Sequence, residues 1–95
     1  MATFGVEPGL RMARMCKALG HPARVAIVRY LRSRRGAPTC GELVSQLPLA
    51  QSTVSQHLRV LQDAGLVTAQ DDPPRVRYRL ESSAFEDFRR ALGSL

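Results

Sequence analysis

Between Gln51 and Val67 the chain reads QSTVSQHLRVLQDAGLV, and the spacing of its apolar residues leaves this segment little choice of conformation. Val54, Leu58 and Leu61 recur at i, i+4 and i+7, which makes one buried seam of an amphipathic helix. At about 3.6 residues per turn, Ser52, Gln56 and Arg59 then point away from that seam, with Gln51 and Ser55 beside them near the helix start. Gly65 with Leu66 beyond it has the pattern of a glycine C-cap and its hydrophobic contact. The outward face carries almost only hydrogen-bonding groups. Glutamine can bond adenine bidentately, serine serves base edges or phosphate, and arginine suits guanine or the backbone.

The neighbouring segments supply the frame for such a helix. Residues 8–20 form a first helix, with Pro8 in its first turn and Leu10, Met12, Ala13, Met15, Cys16 and Leu19 as a broad apolar surface ended by Gly20. His21-Pro22 restarts the chain in a capping position. Ala23, Ala26, Ile27, Tyr30 and Leu31 then give a second stripe that stops before Gly36. Thr39 followed by Glu42 is a capping box that begins a short third helix carrying Leu43, Val44 and Leu47, and Pro48-Leu49-Ala50 turns into the helix described above. Beyond Gly65 the period falls from 3.6 to 2, because Val76, Tyr78 and Leu80 alternate with Arg75, Arg77 and Arg79. Leu66 to Gln70 can pair with that strand across an Asp71-Asp72-Pro73-Pro74 loop. Ser83 with Glu86 reads as a second capping box, and Phe85, Phe88, Leu92 and Leu95 mark a last helix.

The order helix, helix, helix, turn, helix, hairpin, helix predicts a mainly α fold with a two-stranded β-hairpin wing, a winged helix-turn-helix. Ninety-five residues fit one domain spanning 1–95, with the helix-turn-helix at 39–65 and the wing at 66–80. The first helix and a last helix at 82–95 carry more apolar surface than so small a domain can cover by itself. A second copy packing those helices together is the simplest cover.

Fourteen Lys and Arg against 8 Asp and Glu give a formal net charge of +6, which suits a polyanionic partner. No run reaches the roughly 18 apolar residues of a membrane span, and MATFGVEPGLRMARM lacks a secretion-signal core, so a cytoplasmic protein is expected. Cys16 and Cys40, the two cysteines, are too few and too far apart for a disulfide framework or a C-x-x-C motif. No Gly-rich phosphate loop, paired carboxylates or nucleophile with an adjacent base points to an enzyme. A winged-helix module used only for protein contacts is the rival reading, and its recognition face would be apolar or acidic rather than polar with Arg59.

These residues resemble the ArsR/SmtB family of winged helix-turn-helix transcriptional repressors, roughly from Met12 to Leu92. KALGHPARVAIVRYL is similar to the family's opening helix junction, ELVSQLPLAQSTVSQHLRVLQDAGLV to its helix-turn-helix, and VRYRL to its second wing strand. The resemblance implies a homodimeric repressor that binds an inverted-repeat operator in double-stranded DNA and leaves it when an inducer arrives. It also implies DNA contacts by Gln51, Ser52, Thr53, Ser55 and Gln56.

The chain departs from the family pattern at four places. The family's paired metal-binding cysteines would fall on Thr39 and Gly41, with Cys40 between them, and the last segment ESSAFEDFRRALGSL contains no histidine, so neither a metal nor another cofactor is expected. Ala50 stands where the family usually has a serine N-cap. Acidic Asp71 and Asp72 replace a basic, glycine-containing wing tip, leaving Arg75 and Arg77, with Arg59 on the helix, to meet phosphate. Three further side chains are assigned from position alone. Cys40 begins the third helix, where the dipole favours a thiolate, and is the candidate redox-sensing residue. Cys16 is expected to be buried as a small hydrophobe, and His57 to flank the buried seam.

Overall fold

The computed structural model describes residues 6–95; the first five residues of the N-terminal stretch discussed above lie outside the described residues. Helix α1 (Val6–Leu19) starts two residues before Pro8, and Met15 and Ala18 are its buried contacts. Helix α2 (Pro22–Ser33) begins as its sequence predicts. His21 is the N-cap and its Nδ1 accepts from the Ala23 N–H at 3.0 Å, with Pro22 in the first turn. Ile27, Val28 and Leu31 bury its inner face.

The helix-turn-helix consists of α3 (Cys40–Val44) and α4 (Gln51–Asp63). Half of the expected capping box is present, since the Glu42 N–H donates to Thr39 Oγ1 at 3.2 Å. Helix α3 stops before Leu47, which sits half-buried in the following turn against the core. Helix α4 ends in a Schellman motif. The Leu66 N–H donates to the Leu61 carbonyl at 3.0 Å and the Gly65 N–H to the Gln62 carbonyl at 2.9 Å, with Gly65 at φ +80°.

Strands β1 (Val67–Asp72) and β2 (Arg75–Leu80) pair antiparallel, with Val67 opposite Leu80 and Asp72 opposite Arg75. The expected four-residue loop is therefore corrected to a two-residue turn, Pro73-Pro74, with Asp71 and Asp72 inside the ladder. The cause is electrostatic: the Asp72 carboxylate accepts from Arg77 Nε at 2.8 Å across the strands, so an acidic pair of low β-propensity is held in register. A further edge joins this hairpin. Thr39 bridges Arg77, and the Tyr78 N–H donates to the Pro38 carbonyl at 2.8 Å, which ties the entrance of α3 to the wing.

Helix α5 (Ser82–Gly93) differs from expectation at both ends. Its N-cap is Glu81, which makes no side-chain cap bond; that carboxylate instead accepts from the Thr68 hydroxyl. The Ser83–Glu86 capping box does not form, because Glu86 faces Arg32 at 3.6 Å and Arg89 at 3.1 Å. Leu95 lies past the helix and is 90% exposed. Cys16 is exposed rather than buried, since Met15 and Ala18 occupy the inner side of α1 and leave it on the outer flank. One contiguous core remains, in which Ile27, Leu43, Val54, Leu58, Leu61 and Leu66 are fully enclosed. Among the described residues no helix is long and apolar enough to cross a membrane.

A Cβ at Gly65 would meet nothing within 4 Å, so substitution there tests backbone conformation alone. Gly65→Ala is expected to destabilise the fold by about 1 kcal/mol, because only glycine adopts this left-handed cap freely. Urea unfolding with an unchanged m-value checks it.

Candidate nucleic-acid interface

The seam of α4 decides what its other face can do. Val54, Leu58 and Leu61 are each 0% exposed, and this turns Gln51, Ser52, Ser55, Gln56 and Arg59 to the outside with Thr53 half-buried beside them. These side chains form one surface two turns long, bearing amide, hydroxyl and guanidinium groups. Arg59 donates from Nε to Asp63 Oδ1 at 3.3 Å, and the two side chains are 77% and 69% exposed. A pair so open to water contributes only about 0.3–0.5 kcal/mol, so the guanidinium is free to exchange that carboxylate for a phosphate.

The start of α4 is held without a cap. Ala50 takes an extended conformation and makes no side-chain bond, leaving the Val54 N–H to Ala50 carbonyl bond to begin the helix. Serine or aspartate there would add on the order of 1 kcal/mol. Cys40 Sγ sits 4.0 Å from the Gln51 carbonyl, a sulfur contact between α3 and the first residue of α4. Burial pushes the Cys40 thiol above its ordinary pKa, the opposite of the thiolate expected from its place at a helix start. A five-residue helix offers little dipole to offset that desolvation. Among the described residues no three His, Cys, Asp or Glu side chains gather as metal ligands.

His57 flanks the seam, half-buried, as its spacing indicates. Its position against His21 could not be read from the sequence: the two rings lie 4.4 Å apart, joining the cap of α2 to the middle of α4. Desolvation lowers the His57 pKa, and the nearby His21 and Arg24 lower it further. The Arg24 Nε is itself buried and has no hydrogen-bond partner among the described residues. Its spacing three residues after His21 was the available signal.

On the wing the three alternating arginines have separate surroundings. Arg75 is exposed at the tip and Arg79 is exposed near the base. Arg77 between them donates from Nε to Asp72 and from Nη1 to the Ala37 carbonyl at 3.0 Å. Arg77 is therefore first a clamp between wing and loop, whereas Arg75 has no carboxylate partner among the described residues.

Residues 19–70 match the model of a family described as a helix-turn-helix domain. The chain is 36% identical over 72 residues to the HTH-type transcriptional regulator YgaV of Escherichia coli, covering 76% of this chain and 72% of that protein. It is 42% identical over 66 residues to the HTH-type transcriptional repressor SmtB of Mycobacterium tuberculosis, covering 70% of this chain and 47% of the other, so it spans about half of that relative's length. An ArsR-like transcriptional regulator from Rhodococcus sp. RHA1 superposes with a TM-score of 0.79 at 25% identity, over 92% of this chain and 80% of that one.

The His57 environment gives a pH dependence of definite sign. Above its unfolded pKa, about 6.5, His57 is neutral whether the chain is folded or not. As pH falls below that value the unfolded chain takes the proton first, so stability declines until the lowered native pKa is passed. Thermal unfolding between pH 7.5 and 5 is expected to show a steeper loss for the native sequence than for His57→Gln.

Proposed function

Because this chain belongs to the ArsR/SmtB family of winged helix-turn-helix transcriptional regulators, we propose that it acts on cytoplasmic DNA as a homodimeric, sequence-specific repressor that an inducer releases from its operator. The observation that carries this reading is the polar outer face of α4, presented by a seam that water does not reach. Gln51, Ser52, Thr53, Ser55 and Gln56 enter the major groove and meet base edges, while Arg59 and Arg75 neutralise phosphates. Arg77 adds a phosphate contact through the donors its clamp leaves unused and keeps the wing against the DNA. The whole chain acts as one domain, with residues 39–65 reading and 66–80 as wing.

Dimerisation follows from uncovered apolar surface. Val6 and Leu10 on α1, Leu92 on α5 and Leu95 beyond it are all exposed, at 82%, 47%, 43% and 90%. An open groove of about 520 Å³ runs between α1 and α5, with Met12, Met15, Phe88 and Ala91 in its wall. A second copy related by a two-fold axis covers both helices of each protomer. The two reading helices then meet half-sites about one DNA turn, roughly 34 Å, apart, which makes the operator an inverted repeat.

Footprinting on the DNA upstream of the protein's own gene, followed by variants, tests this division of labour. Gln56→Ala is expected to cost about 1–3 kcal/mol of discrimination at one base pair and little on random DNA. Arg59→Ala is expected to weaken binding to all sequences alike and to flatten the salt slope by about 0.9. Equal losses on specific and random duplexes for both variants would refute the assignment. Leu10→Glu should shift sedimentation toward the monomer and reduce operator affinity with it.

A further inference from the structure

The flank of the wing carries a concave, strongly cationic surface that base reading does not use. It is a cleft of about 310 Å³ between the end of α2, the loop after it, and the base of β2, lined by Arg32, Arg34, Arg35, Arg79, Tyr78 and Ser82 among others. Among the described residues Arg32 alone of its four arginines has a carboxylate within ion-pair distance, Glu86 at 3.6 Å, which is shared with Arg89, and the Arg32 guanidinium carbon lies 5.6 Å from the centre of the Phe85 ring. Arg34, Arg35 and Arg79 have no ion-pair partner among the described residues. Arg34 is nonetheless placed, its guanidinium carbon 5.3 Å from the centre of the Tyr30 ring.

The loop that lines the cleft has two of its carbonyls engaged and amide donors to spare. The Ala37 carbonyl takes Arg77 Nη1 at 3.0 Å and the Pro38 carbonyl takes the Tyr78 N–H at 2.8 Å. The N–H groups of Gly36 and Ala37 have no backbone partner among the described residues. Guanidinium forks, which bind the oxygens of a tetrahedral anion bidentately, and single amide donors are thus both available from the residues that line the cleft. Arg79 is four residues along β2 from Arg75 at the tip, roughly 13 Å, so the anion here is not the phosphate that the tip meets.

We propose that this cleft is a binding site for a phosphate-class oxyanion, separate from the base-reading face of α4. Its phosphoryl group comes either from a small phosphorylated molecule or from the duplex backbone flanking the half-site. Arg34, Arg35 and Arg79 are its charged ligands, and the amides of Gly36 and Ala37 complete it. Occupancy draws the α2–α3 loop and the wing base together through Arg79, on the strand that Arg77 already clamps to Ala37.

The test has two arms. In the absence of DNA, inorganic pyrophosphate is titrated into the ¹⁵N-labelled protein, and saturable amide shifts are expected at Gly36, Ala37 and Ser82. The Arg34→Gln/Arg35→Gln double variant changes two exposed side chains, is checked for an intact fold by the dispersion of the same spectrum, and should weaken this binding roughly tenfold. Arg75→Gln should leave it unchanged. In the second arm, operator duplexes with short and extended flanks are compared, and extra affinity from long flanks that disappears in the double variant identifies the backbone as the source. The second arm rests on the DNA-binding reading and the first does not, so failure of that reading leaves pyrophosphate binding intact. Shifts spread evenly over all arginines, or a double variant with native pyrophosphate binding and native flank dependence, would overturn the proposal.

Discussion

Three side chains on one face of α4 support everything else this small molecule presents. Val54, Leu58 and Leu61 are enclosed by Ile27, Leu43 and Leu66, and each such burial contributes about 1.5–3 kcal/mol. That term outweighs the local shortcomings around it. Helix α3 has five residues, too few to persist alone, and α4 starts on an alanine that caps nothing. Neither element is stable by propensity. Both exist because the seam between them is dry, and the polar outer face of α4 inherits its rigidity from that seam.

The wing depends on a second, polar device of the same importance. Arg77 reaches across the hairpin to Asp72 and across the chain to Ala37, at 2.8 and 3.0 Å. One guanidinium thus joins strand, turn and the entrance of α3, with the Tyr78–Pro38 hydrogen bond beside it. Lysine, a single point charge, could not replace a fork that serves two differently placed acceptors.

Local signals were legible wherever the partner was also local. His21 and Thr39 cap helices because the backbone N–H groups that donate to them lie two or three residues away, and Gly65 is dictated by its backbone conformation. The apolar stripes of α2 and α4 were equally plain, since period 3.6 depends on no distant residue. What escaped was set by contacts between different elements of the fold. Asp72 is held in the strand by Arg77, which reaches it diagonally from the other strand, and Glu86 abandons its capping box for Arg32, which belongs to another helix. The Cys40 thiol followed the same rule, its burial outweighing the helix start that spacing suggested. At the interface, the exposed face of α4 could be read from spacing, whereas the His21–His57 contact and the clamp at Arg77 could not.

The pairing of the hairpin also sets how the wing can change. Its base is pinned where Leu80 enters the core opposite Val67 and where Thr39 bridges Arg77, while its far end closes in two residues. Because side chains alternate, a slip of one residue would turn Arg79 toward the core and Leu80 toward water. Length can be added to this wing only two residues at a time on each strand if the outward arginines are to keep their face. Reach and facing are therefore coupled: the tip can be carried farther from the body in discrete steps, but it cannot be rotated by a fraction of one.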